Sequence, residues 1–126
     1  MATWSGDELD RIGRAQELQV ASRREDGTLR PYVTIWVVCV GDDVFVRSAY
    51  GRDNAWFRRA LARPQGRIRA GGVEKDVTLE EPGPEVHDEI DAAYHAKYDR
   101  YGPAIVGTVV GADAARSTFQ LVPHEG

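Results

Sequence analysis

The run Arg30–Val40, RPYVTIWVVCV, permits few structures. In an extended chain Val33, Ile35, Val37 and Cys39 fall on one face and Tyr32, Thr34, Trp36 and Val38 on the other. Both faces are largely apolar, so the strand needs cover on two sides and is expected at the centre of a sheet. Turn signals bound it. Glu25-Asp26-Gly27-Thr28 reads as a hairpin with Asp-Gly as its two-residue turn, and Gly41-Asp42-Asp43 leads into a second alternating run, Val44–Ala49. Upstream, Leu18, Val20 and Ser22 alternate in a strand expected from about Glu17 to Arg24. Together these three make an antiparallel meander.

Helices flank the meander. Ser5 and Glu8 fit a capping box for a helix from Ser5 to Gln19, with Leu9, Ile12, Ala15 and Gln16 at helical spacing and Trp4 placed to staple back. After Ala49, the polar turn Tyr50–Asn54 leads into a short helix, Ala55–Ala62, with Asp53 or Asn54 as cap and Pro64 and Gly66 as stops. Gly66–Ala70 and Val73–Glu81 form a hairpin around Gly71-Gly72. Pro82-Gly83-Pro84 breaks the sheet, and Glu85–Tyr101 is the longest helix, carrying Val86, Ile90, Ala93, Tyr94, Lys97, Tyr98 and Tyr101 on one face up to Gly102-Pro103. Ala104–Gly111 reads as a short strand or a loop, and Ser117–Val122 as a closing strand. Five to seven antiparallel strands with helices at the ends and at one crossing give a small β-barrel of the α+β class. A length of 126 residues suits one domain, 1–126.

Several function classes lack their signatures. No apolar run approaches the roughly 20 residues of a membrane span, and MATWSGDEL has no apolar signal core, so a cytoplasmic location and no membrane partner are expected. One cysteine, Cys39, excludes an internal disulfide and a cysteine-cluster metal site. His87 and His95 lie eight apart, without metal-ligand spacing, so no metal is expected. Hydrolase elbows, glycine-rich dinucleotide loops and phosphate loops are missing. A pI of about 5.3 with only two lysines argues against nucleic acid.

Charge is distributed unevenly. Residues 44–72 hold seven arginines (47, 52, 58, 59, 63, 67 and 69) against Asp53 alone, about +6, whereas residues 1–43 carry −3 and residues 73–126 carry −7. Guanidinium forks beside a helix N-terminus are the footprint of an anion site. Arg58 and Arg59 cannot both point inward, because helical neighbours diverge by about 100°. Trp36, Tyr50, Trp56 and Phe57 offer an apolar wall beside that charge. The competing reading has these arginines coat the surface and pair with the acidic third helix of the same or a partner subunit, in the segment that carries −7.

The order of elements from Arg23 to Glu81 resembles the flavin-binding split-barrel superfamily, and within it the deazaflavin-dependent nitroreductase branch. The matching stretches are Ser22-Arg23-Arg24, Arg30-Pro31, Ser48-Ala49-Tyr50-Gly51, Ala55-Trp56-Phe57 and the hairpin Gly66–Glu81. The whole chain looks closer still to a small uncharacterised bacterial family assigned to that superfamily. The resemblance implies a small antiparallel split β-barrel with flanking helices, a homodimer with a site at each subunit interface, and a cofactor that is FMN or a deazaflavin of the 8-hydroxy-5-deazaflavin type. The implied activity is hydride transfer to a small organic acceptor.

Carried onto this chain, the resemblance points to Arg23, Arg24, Arg30, Ser48 and Asn54 for the cofactor phosphate, with Trp56 beside the site. The charge argument adds Arg47, Arg52 and Arg59, and the apolar wall adds Tyr50. Trp36, Tyr94, His95 and Tyr98 are candidates for a substrate pocket, with a tyrosine or His95 as proton donor, although the i, i+4, i+7 spacing of Tyr94, Tyr98 and Tyr101 also fits a packed stripe. Two positions depart from the branch. Tyr50 stands where a second glycine is usual, and Arg59 where an asparagine is usual. Both favour the alternative, a cofactor-free barrel that binds a small metabolite or acts as an interaction module.

Overall fold

A computed structural model describes residues 3–49 and 51–124. Its seven strands are β1 (Leu18–Ser22), β2 (Val33–Ile35), β3 (Val38–Val40), β4 (Asp43–Arg47), β5 (Gln65–Ala70), β6 (Val73–Glu80) and β7 (Thr118–Pro123). They form one antiparallel sheet in the order β2-β1-β5-β6-β7-β4-β3. The expected central strand Arg30–Val40 is therefore two short strands on opposite edges, joined by Trp36 and Val37 alone. In a flat sheet of this order the edges would lie six strand spacings, about 29 Å, apart. The step from Ile35 to Val38 reaches about 11 Å at most. The sheet must curl until its edges approach each other, which makes the fold an α+β split β-barrel with flanking helices.

Local chemistry sets both where the first of these strands starts and where it breaks. Pro31 has no N–H for a ladder, and the first strand of the pair begins only at Val33. At the link, side chains replace strand partners. The Val37 N–H donates to the Tyr98 hydroxyl at 3.1 Å, and the Val37 carbonyl accepts from Lys97 Nζ at 2.7 Å and lies 3.0 Å from the same hydroxyl. A buried backbone amide needs such partners wherever it leaves the ladder. Apolarity on both faces has its cause here, since the segment crosses from one rim of the barrel to the other and is covered by helix at the crossing.

Alternation along β4 assigns the two cores. Val44 and Val46 point into the barrel with Leu18, Val20, Ile68, Val77, Leu79 and Leu121, while Phe45 points outward to Ile90, Tyr94 and Tyr98. Helix α1 (Gly6–Arg14) closes one side. Its capping box is complete, with Glu8 N–H donating to Ser5 Oγ at 3.1 Å and Ser5 N–H to Glu8 Oε1 at 2.8 Å. The helix ends at Arg14 rather than Gln19, because β1 begins at Leu18. Trp4, expected to staple onto its own helix, donates from Nε1 to the Leu121 carbonyl at 3.0 Å and so fastens α1 to β7. Helix α2 (Ala55–Ala62) sends Trp56, Phe57 and Ala60 into the inner core, with Phe57 stacked on Phe119 at 4.4 Å between centroids.

The long C-terminal helix is shorter than expected. Helix α3 (His87–Tyr98) is flanked by 3-10 turns at Pro84–Val86 and Asp99–Tyr101. It buries Ile90, Tyr94 and Tyr98 against the outer face of β3 and β4. Ala104–Gly111 is a loop, as one of the two expected readings had it, only from Gly107 onward. Helix α4 (Pro103–Val106) starts with proline in its first turn, turns follow, and α5 (Ala112–Ala115) leads into β7. The β5–β6 hairpin turns at Gly71 and Gly72, with φ of 57° and 85°, as the glycine pair requires. Among the described residues, no helix is long and apolar enough to cross a membrane.

Candidate functional site

Four elements enclose a hollow of about 450 Å³. One wall is β2 and the link, with Val33, Ile35 and Trp36. A second is the end of β4, with Arg47 and Ala49. Asn54 and Trp56 at the start of α2 form a third, and Ala104, Ile105, Thr108 and Val109 of α4 and its following turn form the last. The lining is mainly aliphatic and indole, with a few polar groups, as is usual for a site that holds a flat organic ligand. Ala49 and Thr108 also border a second, more polar hollow of about 620 Å³ that carries Gly51, Arg52, Asp113 and Arg116. The two hollows share a wall.

Of the residues expected at a site, Trp36, Arg47, Asn54 and Trp56 meet at the first hollow and Arg52 lies at the second. Trp36 is half-buried and held in place by stacking on Tyr98, 4.0 Å between centroids and 4° from parallel. Asn54 is the N-cap of α2, yet its side chain makes no cap hydrogen bond and stays available at the hollow. Phe57 and Trp56 both belong to the inner core, but Phe57 lines neither hollow. Tyr50 lies outside the described residues.

Arg47 is present at the hollow but has no donors to spare. Its side chain is 0% exposed, Nε donates to Thr118 Oγ1 at 2.9 Å, and one terminal nitrogen donates to the Val109 carbonyl at 2.8 Å and to Asp91. The other terminal nitrogen faces His87 Nδ1 at 3.2 Å and the His87 carbonyl at 3.5 Å. A guanidinium can only donate, so His87 Nδ1 is an acceptor and the ring is neutral, with its proton on Nε2. Burial, and next the Arg47 charge, hold the His87 pKa below its usual value. The expected role of Arg47 in holding an exogenous phosphate is corrected accordingly: it fastens the turn after α4, which forms one wall, to β4 and α3.

Most of the other arginines face carboxylates or carbonyls of their own chain. Arg52 reaches Glu81 at 2.6 Å and the Arg116 carbonyl at 2.5 Å, and its guanidinium lies 5.3 Å from the Phe57 ring. Arg23 is bound to Asp76 at 2.8 Å and to the Gly27 carbonyl at 2.7 Å, and Arg24 to the Leu29 carbonyl at 3.0 Å. Arg67 and Arg69 share Glu74, and Arg67 also reaches Asp76; Arg67 first, and Arg23 after it, hold the Asp76 carboxyl below the usual carboxylate range. The surface-pairing reading of the arginines thus describes much of the cluster, although β6 supplies most of the acids rather than α3. Arg23, Arg24, Arg30 and Arg59 line neither hollow, and among the described residues the exposed Arg58 and Arg59 have no recorded ion pair.

Ser48 and the helix residues are also displaced from the expected site. Ser48 alternates with Arg47 and Ala49, so its side chain turns away from the hollow, and its buried Oγ has no partner among the described residues. Tyr94 and Tyr98 are fully buried beneath the hollow instead of lining it, and burial raises both phenols, Tyr98 up to about 12. His95 is exposed and pairs with Asp99 at 2.7 Å, away from both hollows. The packed-stripe reading holds for Tyr94 and Tyr98. Sequence reasoning missed Asp91 and the wall from Ala104 to Val109; Gly102-Pro103 was its one available signal, since proline is favoured in the first turn of a helix.

Residues 8–121 match the model of a family described as "Uncharacterized protein conserved in bacteria (DUF2255)". Among curated proteins, no sequence relative matches. Solved structures share the fold at low identity. The heme storage protein HutZ of Vibrio cholerae is 18% identical over 100% of this chain and 93% of its own, with a TM-score of 0.65. An F420 reductase is 14% identical over 92% of each chain, with a TM-score of 0.59. An FAD-binding protein of Mesorhizobium loti is 15% identical over 98% of this chain and 92% of its own, also at 0.59.

Proposed function

The chain belongs to that bacterial family, and from this footing we propose that it binds a flavin-type cofactor, FMN or an 8-hydroxy-5-deazaflavin, as an oxidoreductase acting on a small organic acceptor. The observation that carries the reading is the pair of adjacent hollows that share Ala49 and Thr108, one walled by indole and aliphatic side chains and the other carrying Arg52 and Arg116. A flavin has the same two-part character, a flat apolar ring and an anionic tail. The names of the F420 reductase and the FAD-binding protein agree with that chemistry.

The residues fit the ring better than they fit the phosphate set expected from the resemblance. Trp36 and Trp56 would flank the ring, and Ile105, which is 52% exposed, would shield it from water. Asn54 offers one acceptor and two donors for a polar edge. The anionic end would fall to Arg52 and to the first amides of α2, which have no partners inside the helix. Hydride transfer is the chemistry that a flavin supplies when bound. The chain's part is to orient the ring and keep water out, and no side chain at the hollow is assigned a proton transfer. A homodimer is part of the proposal, carried by the resemblance and in keeping with the exposed Ile105 at the mouth and Tyr101 beside Trp36.

Titrating the purified protein with FMN and with the deazaflavin tests the reading. Saturable binding with Kd on the order of tens of micromolar or tighter is expected, weakened about tenfold or more by Trp36→Ala. If neither flavin binds while another metabolite raises the melting temperature, the cofactor-free alternative stands. The pairing of Arg23, Arg47, Arg52 and Arg67 with acids of the same chain is the observation that favours it.

A further inference from the structure

The chain has two lysines, and their surroundings differ in kind. Lys75 is paired with the Glu8 carboxylate at 2.8 Å. Lys97 has no carboxylate partner among the described residues. Its Nζ donates to the Val37 carbonyl at 2.7 Å and lies 5.2 Å from the Tyr98 ring, half-buried between α3 and the Trp36–Val37 link. The carbonyl and the ring face it, but no carboxylate among the described residues neutralises a charged ammonium in that position. Besides burial, the one titratable group that bears on it is the Cys39 thiol, itself a weak nucleophile because burial raises its pKa.

We propose that Lys97 Nζ is a site of acylation by activated acyl donors such as acyl phosphates. The amine lone pair attacks the acyl carbon, the carbon–oxygen bond to phosphate breaks with its electron pair leaving on the phosphate, and the nitrogen releases one proton to solvent. The amide product suits the site better than the ammonium does. It is neutral, so the charge no longer has to be buried, and it keeps one N–H for the Val37 carbonyl. A neutral imine would lose that N–H, and a methylated amine would keep the charge. Acylation therefore fits these surroundings where the other common lysine modifications do not. The proposal does not depend on the flavin reading.

The site also favours the reactive form of the amine. Burial lowers the Lys97 pKa from 10.5 to about 8. Near pH 7.5 about a quarter of such amines are neutral, against about a thousandth for an ordinary lysine. Lower basicity returns about twentyfold of that gain in lost nucleophilicity, which leaves a net advantage of about tenfold.

Incubation of the native protein with acetyl phosphate from pH 7 to 9.5, with both lysines followed by peptide mass spectrometry, tests this. Acetylation of Lys97 is expected about tenfold faster than of Lys75 at pH 7.5, with a rate that levels off above pH 8. Equal or slower labelling of Lys97, or a rate still climbing in proportion to hydroxide at pH 9.5, overturns the proposal. A Lys97→Gln variant keeps a neutral N–H donor in the side chain and is expected to melt no lower than the parent at pH 7. A fall of several degrees would show that the amide is not accommodated and would overturn the proposal equally.

Discussion

A single guanidinium ties four segments of chain together. Arg47 leaves β4 and reaches Thr118 on β7, Asp91 and His87 on α3, and the Val109 carbonyl after α4. Removing one member of such a buried group strands the others. Arg47→Met is expected to lower unfolding free energy by on the order of 3–5 kcal/mol, read from urea denaturation, and Arg47→Met with Asp91→Asn should recover part of that loss. Lys97 acts in the opposite sense. Its folded pKa of about 8 lies below the ordinary 10.5, so between those values the unfolded chain holds more protons and stability rises with pH. Lys97→Met is therefore expected to gain most over the parent below pH 8, and to lose that gain progressively as the pH rises from 8 toward 10.5, in paired urea melts. The arginine cluster was visible by counting residues. Its partners were not, because Glu74, Asp76, Glu81 and Asp91 come to it through strand pairing and helix docking that no local pattern encodes.

Local chemistry made several elements legible before any tertiary contact was known. The Ser5–Glu8 box starts α1, and the Gly71-Gly72 pair turns β5 into β6, both as expected. That hairpin also supports α1, since a Cβ built on Gly71 would fall 2.3 Å from the Arg11 carbonyl oxygen, at φ 57°. Gly71→Ala should cost on the order of 2–4 kcal/mol, from backbone strain and displacement of α1. Gly27→Ala, at φ 89° with open space around its Cβ, should cost about 1 kcal/mol from strain alone. Comparison of the two melting transitions separates strain from collision. The elements that were misread are those whose ends depend on distant partners. The strand from Arg30 to Val40 breaks because Tyr98 and Lys97, some sixty residues later, take over its backbone groups.

For the molecule as a whole, periodicity was enough for an α+β barrel of antiparallel strands, but not for the order in which they pair. Alternation shows which residues face inward and says little about which strand stands beside which. The strand order depends on how far a two-residue link can reach, a distance that only the assembled sheet reveals. The hollow was half legible for the same reason. Trp36, Asn54 and Trp56 lie near turns that were identified, whereas the wall from Ala104 to Val109 arrives from the far end of the chain. Trp36 belongs both to the seam of the barrel and to the lining of the hollow. A molecule that parts along this seam thus loses its binding surface in the same event, and any occupant resting on that indole acts as a bolt across the join, tightening the whole shell from a single side chain.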